Sequence, residues 1–492
     1  MSASLASLMY TFMGLPLLAV AALNLAGQKL SRRVCRPLGL FAGLVQIGTV
    51  VISQLLLLQF NKPSVSFSQF WDMTISANAG YFTLDTFALV ALACVGIAVT
   101  AAFSFKWTDE DRYVFGFTNM TLLLMLGLNG VALVTDLFSL YVFLEISGLC
   151  AYVLVALDHR GTDGLEGGFK YLIMSAVASA MILAGLAFIF MQCGSLRYVD
   201  VAAMFAANEP ALPVLNNIAF IFIICGFATK AGLVPFHNWL PDAYQSAPAP
   251  VAVLLGGAVT QMCGVYALIR IMGDLLGAAP NSVVNTVLLL LGLLSIMVGS
   301  LAALAQTDMK RLLAYSAISQ TGYIVLGVTC GNMFGFLGAV LHFFNMSVFN
   351  TTLFVNTAAV QDAVGLTDMD RLGGLQKQLP VTGVTSLIAF LSCAGMPPMA
   401  GFWSKLLIII AVWQSGSGMV AGLALFTGVL TAAYFLRLQS KVFFGPARAE
   451  LAQVRERRGG LTVSAMLLSA LTLILGLLVP FLLRLLQGLG LL

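Results

Sequence analysis

Charge is so scarce in this chain of 492 residues that it decides the fold class before any motif is read. Lys, Arg, Asp and Glu together make up 9% of the residues, while 60% are apolar. An ordinary soluble domain carries about 25% charged residues. A soluble protein of this length must cover its surface with polar side chains, and this one does not have them. A bilayer accepts an apolar outer face instead. Soluble enzyme, nucleic-acid binder and disordered chain are excluded together. The formal charge of +4 says nothing about nucleic acid, because the basic residues cluster between apolar runs.

Runs of about 20 apolar residues are the unit of such a fold. They fall near residues 4–25, 38–60, 82–105, 114–134, 136–157, 170–191, 214–240, 248–272, 282–304, 311–330, 333–358, 380–413, 417–440 and 461–488, fourteen in all. The first has no Lys or Arg before it and no convincing cleavage site after it, so it reads as a span rather than a signal peptide. The expected fold is an all-α polytopic membrane protein. Eighteen of the 24 basic residues fall in odd-numbered loops, and only Lys62, Arg197, Arg270 and Arg484 in even loops or the tail. Basic loops stay in the cytoplasm, so both termini are expected on the non-cytoplasmic side and the Arg448–Arg458 loop inside. The eight cysteines are scattered with no C-x-x-C, and the three histidines lie far apart. No metal, haem or iron–sulfur spacing is written here, and no cofactor is expected.

Two lysines, Lys230 and Lys405, belong to no loop, and Glu145 sits nine residues into the fifth run. An ionisable group at such depth costs about 2.5–3.5 kcal/mol on insertion scales and marks an ion path more often than a packing role. A snorkelling lysine or one structural salt bridge is the bland alternative. Both lysines adjoin proline-broken helices: A-T-K-A-G-L-V-P-F-H-N-W-L-P around Lys230, and A-G-M-P-P-M-A-G-F-W-S-K around Lys405. In lipid a broken helix is tolerated only beside a protein-lined or watery cavity. The two breaks lie five runs apart, and the order of lysine and proline is reversed between them. Paired broken helices in two inverted halves point to a transporter's ion path.

These residues resemble a known family. The segment from Lys230 through H-N-W-L-P-D-A-Y-Q-S-A-P-A-P-V is similar to the seventh-to-eighth helix region of antiporter-like, proton-translocating subunits. Such subunits occur in respiratory complex I, membrane-bound hydrogenases and Mrp-type cation/proton antiporters. The likeness continues in Q-T-D-M-K-R-L-L-A-Y-S-A-I-S-Q-T-G-Y, L-G-G-L, G-M-P-P-M-A-G-F-W-S-K and F-L-E-I-S-G-L, across roughly residues 80–445. It implies helices 1–3 over residues 1–113, one five-helix repeat over 114–272, its inverted counterpart over 282–441, and a last helix over 461–492. It implies a proton relay of Glu145, Lys230, His237, His342 and Lys405, with Glu145 paired to Lys230 and Lys405 ending the second half. It implies no cofactor, and partners in sister antiporter-like subunits and a peripheral redox arm, in an inner cell membrane.

The departures from the family pattern are specific. Met262 stands where an eighth-helix lysine is usual, and Met346 and Asn350 where the eleventh helix usually carries histidine and lysine. Gln261, Asn345 and Asn350 are left as candidate polar lining between the halves, with His342 the one titratable group there. Three functions follow from the resemblance: a proton-translocating subunit of a redox-driven complex, a subunit of an Mrp-type Na+/H+ antiporter, or a non-conducting scaffold. The stretch from Cys193 to Pro213 has apolar residues at helical spacing and is expected to lie in the membrane interface.

Overall fold

In lipid every backbone N–H and C=O must be satisfied within the protein, which leaves helices as the building unit. The computed structural model describes residues 2–26, 28–59, 77–78, 82–106, 113–157, 162–206, 213–276, 283–457 and 459–488. Lys62, Arg112, Arg160 and Arg458, counted above among the loop cations, lie outside these. The helices are α1 (Ser2–Leu25), α2 (Gln28–Gln59), α3 (Thr86–Phe103), α4 (Val114–Leu133), α5 (Leu137–Val155), α6 (Thr162–Cys193) and α7 (Tyr198–Ala206). Then come α8 (Pro213–Ala231), α9 (Trp239–Ser246) and α10, which runs from Ala249 to Leu276 through two π-helical turns. The second half holds α11 (Val283–Ala305), α12 (Met309–Thr329), α13 (Met333–Val364), α14 (Pro380–Ala394), α15 (Ala400–Gln414), α16 (Gly418–Val442) and α17 (Gly460–Gly488). One ribbon of two-residue strands, Ala77–Asn78 and Thr83–Leu84, is the only sheet among the described residues, beside isolated bridges such as that of Asp308 to Asp368.

Twelve of these helices are long and apolar enough to cross a bilayer. The two broken helices, α8/α9 and α14/α15, complete the expected fourteen. The short helix α7 occupies the stretch assigned to the interface. Side chains fix where the helices start and stop. Asp85, Asp136, Asp308 and Asn332 accept hydrogen bonds from the third residue on, opening α3, α5, α12 and α13. Each satisfies a backbone donor that the helix itself cannot. Gly365 and Gly395 close α13 and α14 in the left-handed conformation, at φ of 80° and 78°, which glycine adopts without steric cost.

Two basic residues counted above as loop positions are buried. Arg270, on α10, pairs with Asp85 and hydrogen-bonds Tyr266. Its guanidinium also lies over the rings of Phe87 and Tyr266. Lys310, at the start of α12, donates to the carbonyl of Ala247 at 2.9 Å. Counting by sequence position could not see that both side chains turn inward. Asp370, in the turn between α13 and α14, pairs with Lys441.

Candidate ion-translocation site

The site is built around the two broken helices. Lys230 is the penultimate residue of α8, where the free carbonyls of a helix C-terminus favour positive charge. Its Nζ lies 3.3 Å from Glu145 Oε1 on α5 and 3.3 Å from Ser175 Oγ on α6. One turn further along α6, Ser179 donates to the same Glu145 oxygen. The two members of the pair differ in exposure: the lysine side chain is 4% exposed, the glutamate 40%. Glu145 is therefore not enclosed by its own chain at mid-span, as its depth in the sequence suggests. It stands open on the outer flank of the subunit. Beyond Lys230 the chain breaks at Gly232 and the cis bond Val234–Pro235. His237 lies in that break with Nδ1 buried, its ring 6.2 Å from Tyr315.

The second half is arranged the other way round. Lys405 lies in the second turn of α15, after the break, so it sits toward a helix N-terminus. Helical side chains lean toward the N-terminus, and Lys405 runs back past Gly395. A Cβ on that glycine would lie 3.1 Å from Lys405 Cδ. Among the described residues Lys405 Nζ has no hydrogen-bond partner. It rests 4.4 Å from the centre of the Tyr323 ring, a cation–π contact. Next to it, His342 bonds Ser404 through Nδ1 at 2.9 Å and Gln320 through Nε2 at 3.2 Å. Asn345 donates to Ser404 as well.

Between the two lysines, α10 packs against α13. The π turns Leu255–Val259 and Gln261–Tyr266 interrupt the regular bonding of α10. Side chains from α13 take up the released groups: Ser347 donates to the carbonyl of Gly257, and Asn350 to that of Gly256 at 3.4 Å. In the amide orientation that satisfies both of its ends, Gln261 bonds Phe343 O and Ser347 N, each at 3.1 Å. Thr260 bonds Tyr244 at 2.7 Å. Among the described residues, Asn350 Oδ1 and Thr351 Oγ1 stay buried without partners. Met262 is fully buried and brings no charge to this region.

The structure thus joins Glu145 to Lys230, gathers His342 and Asn345 around the residue next to Lys405, and sets Gln261 and Asn350 on the seam between the halves. Several residues of the site escaped the sequence reading. Ser175 and Ser179 carried a usable signal, two hydroxyls four residues apart in a helix of small residues. Ser404, Gln320 and Tyr323 sit inside the family's motifs but give no sign of their role there.

Two helices broken at mid-span, each with a lysine at the break, and a polar seam between them define an ion-translocating membrane protein of the antiporter-like class. The family described as "NADH:quinone oxidoreductase/Mrp antiporter, TM" matches residues 134–431, and the chain belongs to that family. It is 34% identical over 395 residues to a Na(+)/H(+) antiporter subunit of Alkalihalophilus pseudofirmus, covering 80% of this chain and 79% of that one. It is 32% identical over 383 residues to an NADH-quinone oxidoreductase subunit of Rhodospirillum rubrum, covering 76% and 77%. Its fold matches a chain of the membrane-bound sulfane sulfur reductase, an archaeal respiratory membrane complex, with a TM-score of 0.83 and 27% identity, over 96% of this chain and 95% of that one.

Proposed function

We propose that the chain is a proton-translocating subunit of a multi-subunit, redox-driven membrane complex. The observation that carries this is the half-open pair of Glu145 and Lys230 beside a broken helix. A carboxylate exposed on the subunit's flank can be reached by a neighbouring subunit, and moving its charge changes whether the lysine holds its proton. In this reading protons pass from Lys230 along the seam lined by Gln261 and Asn350 to His342 and on to Lys405, with His237 at the first break. Sister antiporter-like subunits and a peripheral redox arm complete the assembly. Both termini face away from the cytoplasm and the Arg448–Arg458 loop faces it. The domain limits 1–113, 114–272, 282–441 and 461–492 divide the chain into its leading helices, two inverted repeats and a last helix.

The test is the ratio of ions moved to electrons transferred by the purified complex in vesicles. Lys230→Ala, His342→Leu and Asn350→Leu should each abolish this subunit's share while the complex still assembles. If all three leave the ratio unchanged, the subunit is a scaffold. If Lys230→Ala alone is inactive, ions leave without crossing the centre and the relay through His342 is wrong. An Mrp-type antiporter subunit is the second reading, favoured by the likeness to the Alkalihalophilus antiporter chain. Purification without any redox partner chain would favour it.

A further inference from the structure

The first turns of α14 and α17 meet under two connecting segments, the one that leads into α14 and the one that leads into α17. Together they wall a surface cavity of 1010 Å3, at the top of the size range of ordinary ligand sites, about 300–1,000 Å3. Lys377, Arg455 and Glu456 line it from the connecting segments, Val381 from α14, and Val463 and Met466 from α17.

The charges of this cavity do not cancel within the protein. The Glu456 carboxylate is engaged at the start of α14: it accepts from the backbone N–H groups of Val381 at 2.9 Å and Thr382 at 2.7 Å, and from Thr382 Oγ1 at 2.6 Å. A carboxylate placed on the first turn of a helix is held there by the free N–H groups. Arg457, on the next residue, pairs with Asp362 at 3.4 Å and faces away. Among the described residues no carboxylate pairs with Lys377 or Arg455. Gln378 lines the same cavity, and its side-chain oxygen has no donor among the described residues.

Two exposed cations alone describe any basic loop. The surface that continues from them sets this pair apart. Val463 and Met466 are about half exposed, and Leu467, Ile474, Leu477 and Leu478 carry on the same exposed stripe along α17. Spacings of three and four residues keep these side chains on one face. No charged residue interrupts the sequence from Val463 to Leu478, a length of roughly 24 Å at 1.5 Å per residue. Val384, one turn after Val381 on α14, is exposed as well. Uncompensated positive charge thus sits directly at the head of a long apolar strip.

We propose that this cavity holds the head group of an anionic phospholipid, its phosphodiester between Lys377 and Arg455 and its acyl chains along the α17 stripe. In phosphatidylglycerol or cardiolipin no ammonium offsets the phosphodiester, so its charge answers the two cations that the protein leaves without carboxylates. A zwitterionic head group brings a cation of its own into a space that already has two. A glycerol hydroxyl also supplies the donor that the Gln378 amide lacks. Basic pockets between membrane helices bind such head groups on the cytoplasmic side, the side that the orientation proposed above gives to this loop. The site itself depends neither on that orientation nor on the translocating role.

The experiment uses the intact complex, purified in detergent and stripped of bound lipid. It is incubated with phosphatidylglycerol carrying a photoreactive group near the glycerol backbone, and the cross-linked peptides are read by mass spectrometry. Label should appear on residues 377–381 and 454–466. Unlabelled phosphatidylglycerol or cardiolipin should displace it, and phosphatidylcholine or free glycerol phosphate at the same concentration should not. Lys377→Ala and Arg455→Ala should each lower labelling roughly fivefold at sub-saturating lipid. Arg371→Ala, which removes an exposed cation that does not line the cavity, should leave it unchanged. Label confined to other peptides, equal displacement by phosphatidylcholine or glycerol phosphate, or an equal loss in Arg371→Ala overturns the proposal. If the two peptides label only after a partner chain is removed, the cavity is a subunit contact and the proposal falls. The ion-to-electron ratio enters none of these readouts, so the translocating role stands or falls separately.

Discussion

Lys230 and Lys405 sit beside similar breaks but at opposite ends of their half-helices. Lys230 closes α8, where the helix end favours a cation, and a carboxylate and a serine stand 3.3 Å away. Lys405 lies toward the start of α15, where the helix end disfavours a cation, and the Tyr323 ring faces its charge. The first break sets a carboxylate and a helix C-terminus against its lysine; the second sets an aromatic ring and a helix N-terminus against its own.

The comparison can be broken by measuring what buried charges cost here. The yardstick is Arg270, whose pair with Asp85 is enclosed on both sides. Asp85→Asn takes the carboxylate from that guanidinium and should lower stability by about 3 kcal/mol or more. Thermal denaturation in detergent reads it. An effect no larger than that of Glu145→Gln would show that burial does not rank these pairs.

Next in size comes the contrast between the lysines. Lys405→Met removes a buried cation that has no carboxylate partner among the described residues, and should stabilise the fold by about 1–3 kcal/mol. Lys230→Met removes a cation that has one, and should bring no gain. Equal shifts in melting temperature would erase the distinction. A smaller effect is expected at Glu145, whose exposure screens the pair: Glu145→Gln should cost at most about 1 kcal/mol in the isolated subunit. Transport by the whole complex should nevertheless be lost, which separates function from stability at this residue.

The smallest effect lies at the surface. The Lys441 ammonium holds the Asp370 carboxyl below its usual range. A lowered folded value means the pair contributes fully above the ordinary carboxylate range and fades as pH falls through the lowered value. Acidification should loosen this turn before it touches either buried lysine. Hydrogen exchange of the 368–372 backbone against pH reads that order.

Much of this was legible in the sequence. Apolar runs marked the fourteen crossings because lipid leaves so few alternatives, and the broken helices announced themselves through proline. Glu145 and Lys230 stood out as charges at depth, and the family resemblance implied their pairing. What could not be read was direction around each helix. Arg270 looks like a loop cation until α10 is seen to turn it toward Asp85. Glu456 looks like one charge among many in a basic loop until its carboxylate meets the first turn of α14, 74 residues away in sequence. Lys405 could be found, but its seat against the Tyr323 ring could not, since the two lie 82 residues apart in sequence.

The two π turns of α10 carry a last consequence, for ancestry rather than chemistry. Each such turn amounts to one residue inserted into an α-helix, and each residue turns the chain by about 100°. Everything after Gln261, including Tyr266 and Arg270, has been rotated relative to everything before Leu255. A relative that lacks one insertion would present a different residue to the seam at the same depth. Whether a lysine or Met262 faces the centre thus depends on insertions as well as on substitutions. Against a relative without these turns, an alignment that forbids gaps would pair the wrong residues through this stretch.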